Sequence, residues 1–253
     1  MIIYEKRGAQ AWVRIDRPAK RNALTVEMRS RIAEAFGAAD RDDEVRSIVL
    51  CGAGEAFCAG ADIQLMGGRG MDAGRQRMLH LHSMIKAVYH SEKPVVAAVQ
   101  GAAVGVGWSL ALSCDAIVAS EDARFAQVFR QLALAPDGGA IYLLCRQVGE
   151  RTARDLVLSG RFVGARQAME MGLVNEVVPR NALDQRAGEL AALYGSGSLF
   201  ATRLTKRLFQ SAATLSFDEF LEQERLVQPM LTQAPDHEEG RKSFAEKRAP
   251  RFI

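Results

Sequence analysis

Twice in this chain an apolar run empties directly into a glycine-rich loop: "SIVLCGAGEAFCAGADI" at 47–63 and "PVVAAVQGAAVGVG" at 94–107. Runs that are apolar at nearly every position read as buried strands. The loops that follow resemble dinucleotide-binding turns, but the spacing refuses that reading. After Gly52 and Gly54 the third position is Phe57, and after Gly105 and Gly107 it is Leu110, so neither loop completes G-x-G-x-x-G. Glycine here still lets a ligand press against the main chain and meet exposed N–H groups. Two such amides converging on one point make an oxyanion hole.

Around these strands the pattern alternates. "IIYEKRGAQAWVRID" predicts a hairpin about Gly8, Thr25 can cap a helix to about Asp40, and Val45 to Leu50 forms the first apolar strand. Met78, Leu81, Ile85 and Val88 mark a long helix that ends before Pro94, and the last glycine of the second loop opens a helix through Ser113. "DAIVASED" and "RFAQV" add short strands. From Gly149 onward the chain reads as mainly helical except for "LVNEVV". These elements predict an α/β spiral with a helical appendage, divided as a core over 1–195 and an oligomerisation region over 196–253.

A length of 253 residues, 48% of them hydrophobic, suffices for one full core. The net charge of +3 is spread along the chain, which argues against nucleic acid or a membrane surface as partner. With no spanning apolar run and no signal-peptide pattern at the start, a cytoplasmic protein is expected. Cys51, Cys58, Cys114 and Cys145 sit in apolar surroundings without CxxC spacing and read as reduced core residues. His80 and His82 are two apart on a helix, a poor metal pair, and read as solvated surface residues.

"GWSLA" at 107–111 approaches a nucleophile elbow around Ser109, but the only histidine downstream is His237 in a polar stretch. A helix serine facing a pocket or a neighbouring helix is the better reading. Asp137, in "ALAPDGGAIYLL", stands alone among small and apolar residues. Pro-Asp-Gly is good turn chemistry, and an aspartate here could cap the next helix. The alternative is a catalytic carboxylate.

"RPAKRNAL", "AFCAGADI", "KPVVAAVQGAAVGVGWSLALSCDAIVAS" and "RFAQVFRQLALAPDGG", in this order, resemble the enoyl-CoA hydratase/isomerase family, also called crotonases. The resemblance implies a crotonase-like spiral of β-β-α units with a C-terminal helical trimerisation region. It implies an acyl-CoA substrate, no cofactor beyond the CoA of that substrate, and a homotrimer or homohexamer. CoA contacts would fall at Arg21, Ala23, Leu24, Ala59, Asp62 and Ile63. The thioester oxygen would be held by the amides of Ala61 and Val106, the latter standing where the family usually has glycine. The two glutamates of family hydratases are replaced by Ser109 and Phe129, and neither replacement is a strong acid or base near neutral pH. Asp137 falls where relatives such as the 1,2-epoxyphenylacetyl-CoA and dienoyl-CoA isomerases keep one catalytic carboxylate.

The resulting expectation is an acyl-CoA isomerase that moves a double bond or rearranges a ring. Alternatives are a hydratase of unusual activity and a non-catalytic acyl-CoA-binding protein. Burial is expected to raise the Asp137 pKa. Trp108, Phe129 and Tyr142 are candidates for the acyl pocket, together with Ser109 and Pro136. On the C-terminal stripe of Phe217, Phe220, Leu221 and Leu226 a neighbouring subunit is expected, with Lys242, Lys247 or Arg248 placed to approach CoA phosphates.

Overall fold

The computed structural model describes residues 1–65 and 70–252. β1 (Ile2–Arg7) and β2 (Gln10–Ile15) form the expected antiparallel hairpin. Thr25 caps α1 (Val26–Arg41), its hydroxyl accepting the Met28 N–H. The chain then repeats one path. β3 (Ser47–Gly52) leads through an extended stretch at Cys58 to α2 (Gly70–Tyr89). β4 (Val95–Val99) leads through β5 (Ala102–Val104) to α3 (Val106–Leu112), and β6 (Ala116–Ser120) through β7 (Arg124–Ala126) to α4 (Ala140–Ser159).

After α4 come β8 (Val163–Gly164), α5 (Ala165–Glu170), β9 (Glu176–Val178) and α6 (Leu183–Gly195). The first strand of each turn enters a six-stranded sheet of order β1-β2-β3-β4-β6-β9, and the second enters a sheet of order β5-β7-β8. Cys58 bridges Ala103 in parallel and so extends the smaller sheet. This is the spiral of strand, strand and helix that the sequence predicts.

The apolar runs are continuous because the large sheet is covered on both faces. Ile48, Leu50, Val95, Ala97 and Val99 point into the main core. Their alternates Val49, Cys51, Val96 and Ala98 meet Leu183, Ala187, Leu190 and Ala191 of α6 on the opposite face. Burial pushes the Cys51 and Cys58 thiols up to about 12, which keeps them protonated.

Three boundaries differ from expectation. β3 starts at Ser47 because the Val45 N–H turns back to the Asp42 carbonyl at 3.0 Å. The second glycine loop is partly strand, as β5, and α3 opens at Val106 after Gly105. β8 is too short to leave a pattern in the sequence. The chain ends in α7 (Leu199–Ser211), α8 (Phe217–Thr232) and α9 (Pro235–Ala245). α7 is pinned to the core by Lys206, which donates to the Lys93 carbonyl at 2.8 Å and pairs with Asp115 at 2.5 Å. Among the described residues no helix is long and apolar enough to cross a membrane.

Candidate active site

The site follows from strand register. Cys58 pairs with Ala103, and Ala103 in turn with Phe125 on β7, so three chain segments leave the small sheet side by side. Three residues beyond Cys58 and Ala103 stand Ala61 and Val106. Among the described residues neither amide donates to a carbonyl or side chain. For Val106 this is the ordinary state of a first helical residue, whose N–H has no partner within the helix.

The two exits can lie this close because of glycine. A Cβ on Gly107 would stand 2.3 Å from the Cys58 carbonyl oxygen. Gly105 takes φ 55 and ψ −125, so the unusual backbone conformation falls on glycine and leaves Val106 helical. A valine after Gly105 is thereby accommodated.

The first exit is held by "RPAKRNAL". The Ala59 N–H donates to the Arg21 carbonyl (2.9 Å), the Leu24 N–H to Gly60 (2.8 Å), and the Asp62 N–H to Leu24 (3.1 Å). Arg17 closes the arrangement, bonding the Ala23 carbonyl at 3.0 Å and the Asp62 carboxylate at 2.7 Å. That pairing holds the Asp62 carboxyl below its usual range. Asn22, buried and at φ 59, donates to the Ala53 and Ala56 carbonyls.

Asp137 faces these exits from the loop before α4. A cavity of about 100 Å³ is walled by Ala59, Gly60, Ala61, Val104, Gly105, Val106, Phe129 and Asp137, among others. Asp137 is the one ionisable side chain among its described lining residues. Asp137 also borders a larger cavity of about 1140 Å³, with Leu24, Ile63, Leu132 and Leu134 on its walls. The loop is fixed from behind, where Ser109 donates its hydroxyl to the Asp137 carbonyl at 3.1 Å. Gly138, at φ 62, allows the approach, since a Cβ there would stand 3.0 Å from that of Ser109.

Asp137 does not cap α4. The N-cap is Gly139 with no side-chain bond, and Asp137 Oδ1 is buried without a hydrogen-bond partner. An unpaired buried carboxylate oxygen is costly and needs a reason. Burial raises the Asp137 pKa, while Arg29 and His82 oppose the rise.

Those two residues escaped the sequence reading as parts of the site. His82 is exposed, as expected, yet it lines the larger cavity with Asp137. Arg29 lies on the buried face of α1, where it shares helical spacing with Ile32 and Phe36. An arginine on that stripe was the available signal.

Trp108 is wholly buried against Phe125, with ring centroids 5.7 Å apart, and lines neither cavity. Ser109 is likewise wholly buried, because every residue of α3 faces the core, and it donates to carbonyls with no histidine beside it. Its role is to hold the Asp137 loop. Tyr142 projects from α4 beneath Arg146, away from the Asp137 cavities. Arg21 is exposed, its carbonyl accepting from Ala59, and Ala23 and Pro136 border neither cavity. Ile63 and Phe129 do line the site. Arg248 is engaged within the chain by Glu239 at 2.6 Å and by Glu246 at 2.6 Å.

The chain matches the family model described as enoyl-CoA hydratase/isomerase over residues 5–253. It is 34% identical over 242 residues to the 1,2-epoxyphenylacetyl-CoA isomerase of Escherichia coli, covering 94% of this chain and 92% of that protein. It is 33% identical over 254 residues to an enoyl-CoA hydratase of Mycobacterium tuberculosis, covering 99% and 95%. The crystal structure of an enoyl-CoA hydratase from Polaromonas superposes with a TM-score of 0.96 at 31% identity, covering 100% of this chain and 99% of that one.

Proposed function

Because this chain belongs to the enoyl-CoA hydratase/isomerase family of enzymes, we propose that it isomerises an acyl-CoA thioester by moving one proton with Asp137. The observation that carries this reading is the unpaired Asp137 carboxylate oxygen, beside a small cavity whose walls bring two undonated amides. In this reading Asp137 takes a proton from carbon 2 of a 3-enoyl thioester. The bonding pair shifts toward the carbonyl, and the Ala61 and Val106 N–H groups hold the dienolate oxygen that forms. Asp137 then returns the proton to carbon 4, leaving the conjugated 2-enoyl thioester. One base suffices because the planar dienolate presents carbons 2 and 4 to Asp137 on the same face.

Hydration is disfavoured by what replaces the glutamates. Phe129 packs its ring beside Gly105 on one wall, and Ser109 is buried with its hydroxyl engaged. No second acid or base lines the small cavity among the described residues, so activation of water would fall to Asp137 alone. The name of the Escherichia coli relative supports isomerisation of a CoA ester, including a ring substrate, and the mycobacterial relative keeps hydration as the competing reading. Incubation with a 3-enoyl-CoA and with crotonyl-CoA separates them. Rapid double-bond migration with slow hydration is expected; rapid hydration of crotonyl-CoA contradicts it, and binding of both esters without turnover would favour an acyl-CoA-binding role.

A trimer or dimer of trimers is proposed from α8 and α9. No residue of α8 is buried in the single chain; Phe217 is 75% exposed, Leu226 63%, and Phe244 on α9 87%. Covering each such side chain is worth about 1.5 to 3 kcal/mol. Sedimentation at micromolar concentration is expected to show a trimer or its double. A fully active compact monomer would refute this.

A further inference from the structure

We propose that Arg29 forms a hydrogen-bonding subsite in the larger cavity, selecting acyl groups that carry an uncharged oxygen acceptor, a hydroxyl, carbonyl or ether, beyond the carbons on which Asp137 acts. The inference deepens the isomerase reading and rests on it for the placement of the reacting carbons. Arg29 is only 7% exposed, yet among the described residues no carboxylate lies within 4.0 Å of it. Its Nε is buried without a partner, and Nη1 reaches only the Arg77 carbonyl at a long 3.4 Å. A guanidinium carries five donors and is costly to desolvate without acceptors. The cavity it lines holds about 1140 Å³, and Asp62, Asp72, Asp137, Arg75, Arg77 and His82 share its walls.

What fills that space decides the cost. A purely alkyl chain would dry the remaining Arg29 donors and give them nothing to bind, and a site built to donate rejects the analogue that lacks the acceptor. A carboxylate would supply acceptors, but it would add an anion to walls that already carry Asp62, Asp72 and Asp137. That arrangement favours the protonated form of Asp137, which cannot abstract a proton. An uncharged oxygen accepts from Arg29 and leaves Asp137 ionised.

The test is titration calorimetry on the full-length protein with saturated acyl-CoA esters of one chain length. One is plain, one set carries a single hydroxyl stepped along the outer half of the chain, and one ends in a carboxylate. Saturated esters cannot be isomerised, so this preference is read independently of turnover, and failure of the isomerase reading shows separately as unchanged 3-enoyl-CoA. We expect one hydroxylated ester to bind wild type about 10- to 100-fold tighter than the plain ester. The preference should vanish in Arg29→Met and shrink in Arg29→Lys, which keeps the charge but loses the fork. Equal affinities in wild type, tightest binding of the carboxylate ester, or, in variants that fold, a preference that persists in Arg29→Met or is undiminished in Arg29→Lys would overturn the proposal.

Discussion

Replacing Asp137 with asparagine is expected to lower the isomerisation rate by about 100- to 10,000-fold, the contribution typical of a positioned acid or base. Asparagine keeps the shape of the side chain and cannot take a proton. The wild-type rate should fall on acidification at a pH above the ordinary aspartate range, because burial raises this carboxyl despite the opposing pull of Arg29 and His82. Stability should move the other way. Between its unfolded and its higher native pKa, the native state binds more protons than the unfolded chain, so stability falls as pH rises through that window. At neutral pH the ionised side chain therefore opposes folding, and Asp137→Asn is expected to melt at a higher temperature than wild type. An inactive, stabilised variant marks a residue kept for chemistry; an active one, or one that melts lower with no loss of rate, contradicts that role.

Val106→Pro is expected to reduce kcat by about 100- to 1,000-fold, the loss that follows removal of one oxyanion donor. The substitution is unusually clean at this position. Val106 is the first residue of α3, where proline is favoured and where the N–H has no helical partner to lose. Gly105 before it carries the unusual dihedrals and has no Cβ to clash with the proline ring. Circular dichroism and binding of a saturated acyl-CoA should therefore remain close to wild type, while turnover collapses. Unchanged turnover in a folded variant would remove Val106 from the mechanism.

Much of the scaffold was legible because the central strands β3, β4 and β6 of the large sheet are buried along their whole length, and β3 and β4 run into Gly52 and Gly101, where a Cβ would meet backbone. Asp137 was legible for the opposite reason, as a lone charge in an apolar run. What periodicity could not resolve was α3. Every residue from Val106 to Leu112 is buried, so no face distinguishes a pocket residue from a core one, and neither the aromatic ring of Trp108 nor the place of Ser109 in the family pattern reveals that both are core. Arg29 and His82 escaped for a different reason. Each is a polar residue on a helix distant from the glycine loops, and only the packing of α1 against α2 brings them to the Asp137 cavity.

The most direct test follows a labelled proton. A 3-enoyl-CoA carrying deuterium at both positions of carbon 2 is incubated with the wild-type enzyme in ordinary water, and the product is analysed by mass spectrometry and NMR. Transfer by one carboxyl predicts a 2-enoyl thioester with no added water, in which part of the deuterium taken from carbon 2 is found on carbon 4. A product heavier by one water, formed in place of that isomer, would contradict the proposed single-carboxylate isomerisation.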